Sequence, residues 1–437
     1  MPPTAYDSIG VVGDTLGIDT LAADSLAVDT LEEEPLTIDY DANHLEIPGD
    51  SSRLKAFCSS LRRMLLFGND KINIVHIGGS HVQGDGLSAK PRALFSGIVD
   101  NVGAERGAFF PYSAAKTNGA ANLSTSYTGI WRMCKNSAGH PDRPMGILGM
   151  DVYTIDPYAT LSFDLNPRVQ RTSQGDEACL VSTEQPQWTF SRLRLFAQMN
   201  DSITTPMLAV GKDTIEGVKD GASYLFECRE GSSRGTLFFW HKLDSTMTRV
   251  PEVCVMCFIP ENDRSGVTYH SLGVNGAALW SWLRCDKFDE QIGFLKPDLV
   301  ILGVGINDAN VPYSKFDVDE FKQQYRRLLQ KIYRVSPDCA VVFITNNDCV
   351  LNLGRRRGKP VNQNTLKVEQ AMRELAAEQG AAVWNQFRIM GGLGSSPRWV
   401  RAGLMCRDRI HFTTAGYDLL GEMLFESIME AEKQWSY

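Results

Sequence analysis

The chain has 437 residues, 43% hydrophobic, 22% charged and 9% aromatic, a soluble globular balance that excludes a disordered chain, a collagen-like fibre and a small disulfide scaffold. The net charge of −8 is uneven: residues 1–50 hold 12 acidic side chains and no Lys or Arg, leaving 40 acidic against 44 basic side chains elsewhere. A near-neutral remainder argues against a nucleic-acid binder driven by a basic face, and no apolar run reaches the roughly 18 residues of a membrane span.

Residues 1–50 read as an acidic, disordered linker. From Thr15 to Asp39 a five-residue unit recurs (T-L-G-I-D, T-L-A-A-D, S-L-A-V-D, T-L-E-E-E, P-L-T-I-D), and five fits neither the helical nor the strand period. The alternative, a pentapeptide β-helix with Leu pointing inward, would have little more than one coil and no core. Met1 is followed by Pro2 and Pro3, with no basic-then-apolar leader. The chain as written therefore reads either as cytoplasmic or as a mature protein whose leader has been removed.

Order is expected from Ser51. Leu54, Phe57, Leu61, Met64 and Leu65 fall at helical spacing, Asn69-Asp70 breaks the helix, and Lys71–Ile77 (K-I-N-I-V-H-I) is a buried strand. A further helix starts around Pro91 and ends near Gly103. From about 108 to 268 helical periodicity fades, and short strand-like runs (A-T-L-S-F-D-L, W-T-F-S-R-L-R-L-F, S-Y-L-F-E-C, T-L-F-F-W-H-K-L, E-V-C-V-M-C-F-I) predict a β-sandwich or jelly roll. Beyond Ser271 the pattern alternates again. Strands Asp298–Gly303, Ala340–Thr345 and Ala381–Trp384 are separated by helices Asp319–Arg334 and Leu366–Gln379, which implies a parallel sheet covered on both faces. The β-rich block thus interrupts an α/β domain. The ten cysteines show no framework spacing. Cys254 and Cys257 lie three apart in a strand and face opposite ways, so they read as buried thiols rather than a metal pair.

Four short motifs could carry chemistry. The first strand ends in G-G-S-H, which puts Ser80 just past a carboxyl edge, where open α/β sheets place their ligands. L-G-V-N-G-A contains Gly276 in a turn able to present a backbone N–H. The strand Asp298–Gly303 runs into G-V-G-I-N-D, with the Asn307 amide again beyond a strand end. D-R-I-H places Asp408 three residues before His411, so that one carboxylate can orient the imidazole while its other nitrogen reaches a serine; a helix capped by Thr413 or Thr414 follows. Taken singly, each could be an ordinary turn or a surface ion pair, Asp408 with Arg407 or Arg409 for example. Their order and their positions at sheet edges give them weight together.

These blocks resemble the SGNH hydrolase superfamily, also called GDSL-type esterases, over about 51–107 and 271–437. The resemblance implies a three-layer flavodoxin-like sandwich with a parallel sheet and hydrolysis of esters, commonly acetyl esters on carbohydrate. Ser80 would be the nucleophile, His411 the base and Asp408 its orienting carboxylate, with Ser80 N–H, Gly276 N–H and Asn307 as the oxyanion hole. The strand entering H-I-G-G-S-H-V-Q-G-D and the β-rich block after it look more particularly like peptidoglycan O-acetylesterases of the Gram-negative periplasm, in which an inserted β domain resembles a carbohydrate-binding module. One departure is plain: where the family usually has Asp before the serine, this chain has Gly79.

The expected organisation is therefore an acidic linker (1–50), a hydrolase domain in two parts (51–107 and 269–437) and an inserted β-rich, carbohydrate-binding-like domain (108–268). That insertion is expected to sit at the pocket mouth and to select large substrates without joining the chemistry. The expected activity is an O-acetylesterase acting on an O-acetylated glycan, most of all peptidoglycan, in the periplasm or cell envelope. It would need no cofactor, metal or nucleotide; His81 and Asp308 are candidate substrate contacts. Competing readings are an O-acetyltransferase using the same triad and a non-catalytic glycan-binding protein. Trp131, Trp188 and Trp240 of the β block are candidate sugar-stacking residues, and Arg355–Arg357 with Lys359 form the one sharp basic cluster, a solvated loop or an anionic-glycan contact.

Overall fold

In the computed structural model the described residues are 35–98, 105–138, 143–167, 187–199, 201, 203–242, 250–352 and 358–435. The pentapeptide units before residue 35 and the Arg355–Arg357 cluster lie outside them.

The hydrolase part is built on strands β1 (Leu45–Glu46), β2 (Lys71–Gly78), β14 (Gly266–Gly273), β15 (Leu299–Gly303), β16 (Ala340–Ile344) and β17 (Ala382–Trp384), in the spatial order β1-β17-β16-β15-β2-β14. The last five are parallel to one another and β1 is antiparallel. Counting only the parallel strands in chain order, the arrangement is 2-1-3-4-5, the flavodoxin-like order. Its direction of winding reverses between β2 and β15, which is where such sheets bind ligands. Alternation along each strand feeds two separate cores. Ile72 and Ile74 of β2, Ile301 of β15 and Val342 of β16 pack on one face against helices α1 (Ser52–Phe67), α2 (Ala89–Ser96) and α9 (Thr414–Trp435). Val75, Ile77, Val300 and Val341 face the other side, where α3 (Leu279–Leu283), α4 (Phe288–Leu295), α5 (Val318–Val335) and α6 (Asn364–Gln379) lie. Short helices α7 (Gln386–Ile389) and α8 (Ser396–Arg401) connect β17 to α9. The three-layer expectation is met.

Three boundaries differ from the sequence reading. The hydrolase fold starts before Ser51: Leu45 is buried, Leu36, Ile38, Ala42 and Ile47 pack beside it, and Leu45–Glu46 adds an edge strand to Ala382–Trp384. The interrupting block ends at Gly266 rather than 268, because β14 pairs with β2 from Gly266↔Lys71 onward. The helix after Pro91 ends at Ser96, closed by Gly97 N–H to Ala93 and Leu94 carbonyls.

The interruption is two antiparallel sheets. One has the order β10-β11-β7-β13-β5-β4, from Val218–Asp220 (β10), Ser223–Ser232 (β11), Phe190–Met199 (β7), Val253–Glu261 (β13), Met150–Thr154 (β5) and Arg132–Lys135 (β4). The other runs β3-β6-β12-β8-β9, from Ser124–Thr128 (β3), Thr160–Asp164 (β6), Arg234–His241 (β12), Thr204–Val210 (β8) and Asp213–Glu216 (β9). Phe163 of the second sheet meets Phe190 and Phe258 of the first at 5.9 and 5.7 Å between ring centroids. On its other side the first sheet touches the hydrolase layer, Phe196 lying 5.3 Å from Phe294 of α4. One continuous apolar core joins both sheets to α3–α6. Cys254 and Cys257 are buried in β13, where burial pushes both thiols up, and among the described residues no His/Cys/Asp/Glu group could hold a metal.

Candidate active site

β2 delivers Ser80 through Gly78 and Gly79. The turn after it is tight: a Cβ on Gly78 would lie 2.3 Å from Val82 Cγ2, and Val82 and Gln83 N–H both bond the Gly79 carbonyl. Opposite stands a short loop before α9, closed by Cys406 N–H to the His411 carbonyl at 2.8 Å and by the Met405↔Phe412 bridge. Arg409 takes a left-handed turn conformation (φ 58°) within it. Thr413 caps α9 by accepting Gly416 N–H at 3.2 Å. The loop aims His411 at the serine: Ser80 Oγ lies 2.7 Å from His411 Nε2, and His411 Nδ1 lies 2.6 Å from Asp408 Oδ2.

Asp408 is half-buried, and its other oxygen accepts the N–H groups of Ile410 (2.9 Å) and His411 (3.0 Å). Burial works to raise its pKa, but the imidazole bond and the two backbone N–H groups outweigh that and pull it down to about 2. It therefore stays ionised, with Oδ2 on the imidazole and Oδ1 on two backbone N–H groups of the same loop. Arg409, the rival ion-pair partner, turns instead to Ser396 Oγ at 3.1 Å. A serine hydroxyl hydrogen-bonded to an imidazole that a carboxylate holds in one tautomer can lose its proton as it attacks a carbonyl.

Ser80, Gly276, Asn307 and His411 line one groove of about 600 Å³, together with Gln83, Asn118, Asn275, Asn310, Asn352 and Tyr417 among others. The expected oxyanion donors are thus brought together. Asn307 Nδ2 donates to the Ala277 carbonyl at 2.9 Å, which leaves its second amide hydrogen for a ligand. A Cβ at Gly79 would come 3.3 Å from that same Nδ2, so glycine here lets the Asn307 amide sit directly over the nucleophile turn. Among the described residues the lining carries side-chain amides and hydroxyls and no Lys, Arg, Asp or Glu.

Two expected contacts fall elsewhere. His81 is not in the groove lining. It packs against Phe412 and Tyr417, bonds the Tyr417 hydroxyl through Nδ1 at 2.9 Å, and lines a cavity of about 20 Å³ beneath the site with His76, Asn346 and Asn347. Burial and the neighbouring His411 push its pKa down to about 3, so it is neutral. Asp308 also lies outside the groove lining, its carboxylate accepting Leu279 N–H at the start of α3 (3.0 Å) while burial raises its pKa to about 6. His76 is the packed core residue the strand pattern suggested, bonded to Tyr269 OH at 2.9 Å. Of the three insertion tryptophans, Trp131 and Trp188 are buried and only Trp240, on β12, is exposed (58%).

Sequence reasoning missed the residues behind the nucleophile turn. Asp85 receives a two-pronged bond from Arg92 (2.6 and 2.9 Å) and a third from Arg106 (2.9 Å), all three side chains being buried. Burial would raise the Asp85 pKa, but the two guanidinium groups hold it well below the carboxylate range. The only signal was the run Q-G-D after Ser80, which has no meaning until Arg106 folds back onto it.

Residues 258–419 match the model of the GDSL-like lipase/acylhydrolase family. No curated protein sequence matches the chain. Among solved structures, a peptidoglycan O-acetylesterase 20% identical to this chain superimposes with a TM-score of 0.69, over 89% of this chain and 99% of its own. An acetyl xylan esterase (17% identical, TM-score 0.29) covers 37% of this chain and 81% of its own. A lipase/acylhydrolase from Enterococcus faecalis (21% identical, TM-score 0.30) covers 39% and 78%.

Proposed function

We propose that the chain is an ester hydrolase of the SGNH, or GDSL-type, kind, whose family model matches residues 258–419, and that it removes O-acetyl groups from a carbohydrate. Peptidoglycan is the favoured polymer and the cell envelope the place of action. The observation that carries the reading is the unbroken line Ser80 Oγ–His411 Nε2 (2.7 Å) and His411 Nδ1–Asp408 Oδ2 (2.6 Å) at the wall of a groove lined with neutral hydrogen-bonding groups. What supports the glycan is that lining, together with a fold shared with a peptidoglycan O-acetylesterase.

In the proposed mechanism His411 takes the Ser80 proton as Oγ attacks the acetyl carbonyl. The negative charge that develops on the carbonyl oxygen is met by Ser80 N–H, Gly276 N–H and the free hydrogen of the Asn307 amide. Asp408 stabilises the imidazolium and keeps the ring oriented. The imidazolium then protonates the departing sugar oxygen, leaving an acetyl ester on Ser80. A water deprotonated by His411 attacks that ester, and acetate leaves as the serine recovers its proton.

Acetate release from acetylated glycans, peptidoglycan included, tests the reading. Wild-type protein should release acetate and Ser80→Ala should not. A fluorophosphonate should label Ser80, located by peptide mass spectrometry. Labelling at another serine, or none in folded protein, would overturn the assignment. Passage of the acetyl group from Ser80 to a sugar hydroxyl instead of to water would identify a transferase.

A further inference from the structure

We propose that the β-rich interruption is a working part of the oxyanion site. Ser137, Asn118 and Gln83 act as positioning residues that fix the peptide group carrying the Gly276 N–H. The proposal rests on the esterase reading of the groove.

Gly276 lies in a turn closed by Ala277 N–H to the Val274 carbonyl at 3.0 Å, and its φ of +77° is the type II position that L side chains rarely adopt. The peptide unit between Asn275 and Gly276 is the central one of that turn. Such a peptide can rotate about its own axis between type I and type II geometry, and the rotation reverses the direction of its N–H. Gly276 has no side chain and is exposed at the groove, so packing on the residue itself cannot hold it. An oxyanion donor works only if it already points at the place where charge develops.

Three bonds pin this turn, each drawing on the interruption or on the nucleophile loop. The Asn275 carbonyl, which belongs to the same peptide unit as the Gly276 N–H, accepts the Ser137 hydroxyl at 2.8 Å. That bond fixes the plane of the donor peptide. It also polarises it, because a hydrogen bond accepted at C=O strengthens the donor at N–H of the same unit. On the other flank, Asn275 N–H donates to Gln83 Oε1 at 2.6 Å. Gln83 is buried, and its Nε2 faces Asn118 Oδ1 (2.8 Å), the Asn118 carbonyl (3.0 Å) and Thr117 Oγ1 (2.9 Å). Asn275 Nδ2 closes the ring on Asn118 Oδ1 at 2.7 Å. Gln83 stands three residues after Ser80, so one amide ties the nucleophile turn, the oxyanion turn and the interruption together.

The test uses the full chain with Ser137→Ala, Asn118→Ala and Gln83→Met, each rate expressed per active site titrated with fluorophosphonate. Ser137 and Asn118 are not core residues, so their truncation leaves folding intact even where Gln83→Met does not. With p-nitrophenyl acetate, kcat should fall tenfold or more in Ser137→Ala and Asn118→Ala while KM stays within about threefold, an effect below the 10²–10³ of deleting a donor outright. The rate of Ser80 phosphonylation should fall in parallel, and Ser137→Thr, which keeps the hydroxyl, should recover most of the loss. Variants that lose melting temperature but keep wild-type kcat per titrated site would overturn the proposal. A wild type that hydrolyses the ester without labelling at Ser80 would instead overturn the underlying reading of the groove.

Discussion

At the scale of single residues, the chain separates groups whose partners are close in sequence from groups whose partners are not. Asp408 and His411 were legible because three residues of turn suffice to bring them together, and the imidazole and backbone N–H groups that bind Asp408 lie in the same segment. Asp408→Asn should leave this loop folded but remove the acceptor that selects the Nδ1-protonated tautomer. In serine hydrolases that change costs about 10⁴ in kcat, so ester hydrolysis measured against wild type should drop by three to four orders of magnitude. A wild-type kcat would exclude His411 as the base. Asp151 on β5 was not legible as unusual. It is fully buried, and burial pushes its pKa up to about 8 against the smaller opposing pull of Gly146 N–H and Arg143. The unfolded value is about 3.9, so between pH 4 and 8 the folded chain holds a proton that the unfolded chain has lost, and stability declines as pH rises through that window. Asp151→Asn removes the titration. Its melting temperature should match wild type near pH 4 and exceed it at pH 8; a constant difference at both pH values would show that Asp151 is not protonated in the native state.

At the scale of elements, legibility followed burial. In the six-stranded antiparallel sheet the inner strands β7, which alternates apolar with polar residues, and β13, a long apolar run, were read as strands, whereas the outer β4 and β10 (R-M-C-K and V-K-D) are short, polar and largely solvated and were not. β8 was hidden by Pro206, although it lies between β12 and β9. β1 was missed for the same reason as β4: two residues have no period, and the acidic composition before Ser51 outweighed them. Its docking is nevertheless specific, with Asn43 Oδ1 accepting Trp384 Nε1 at 3.0 Å and Ser427 Oγ at 2.7 Å, and Glu46 paired with Arg373. Truncation at Ser51 should therefore lower the melting temperature by several degrees relative to truncation at Leu36; equal values would make β1 dispensable. The junction of β14 with the nucleophile turn is tighter still. A Cβ on Gly273 would sit 2.1 Å from Gln83 N and 2.4 Å from Val82 C, backbone atoms that cannot move without dragging Ser80. Gly273→Ala should cost about 1–3 kcal/mol of stability, as overpacking does, and lower ester hydrolysis far more than that loss of stability explains.

At the scale of the whole molecule, the composition changes at both flanks of the β-rich block, and its two antiparallel sheets fall between β2 and β14 in chain order. The sequence did not reveal how much the two parts share. Motif blocks report residues near the reacting atoms, but a common core is a property of faces, and faces appear only once sheets are stacked. Here the apolar core runs without a break from Leu161, Phe163 and Leu237 of the outer sheet, through Leu195 and Phe258, to Leu279, Ile292 and Leu328 of the hydrolase helices. Asn118 of the same block lines the groove, and Thr117, Asn118 and Ser137 bond Gln83 and Asn275 behind it. The expectation that the block would select large substrates without touching the chemistry requires two separable bodies, and the packing opposes that. Replacing residues 108–265 by a short Gly/Ser linker would strip the cover from Phe294, Ile292 and their neighbours. By the usual figure of about 25 cal/mol per Å² of apolar area, even a few hundred Å² newly exposed amounts to several kcal/mol, comparable with the whole stability of a domain. Small-ester hydrolysis should therefore be lost along with activity on polymer, and far-UV circular dichroism should show a chain that no longer folds cooperatively. Trp240→Ala provides the contrast, since its side chain lies on the outer sheet, exposed and away from the shared core. It should leave p-nitrophenyl acetate hydrolysis unchanged, and a selective fall on insoluble acetylated glycan would place polymer recognition on that outer face. If the linker variant instead folded and kept full small-ester activity, the two parts would be separable after all, and the hydrogen bonds from Ser137 and Asn118 would be incidental to catalysis.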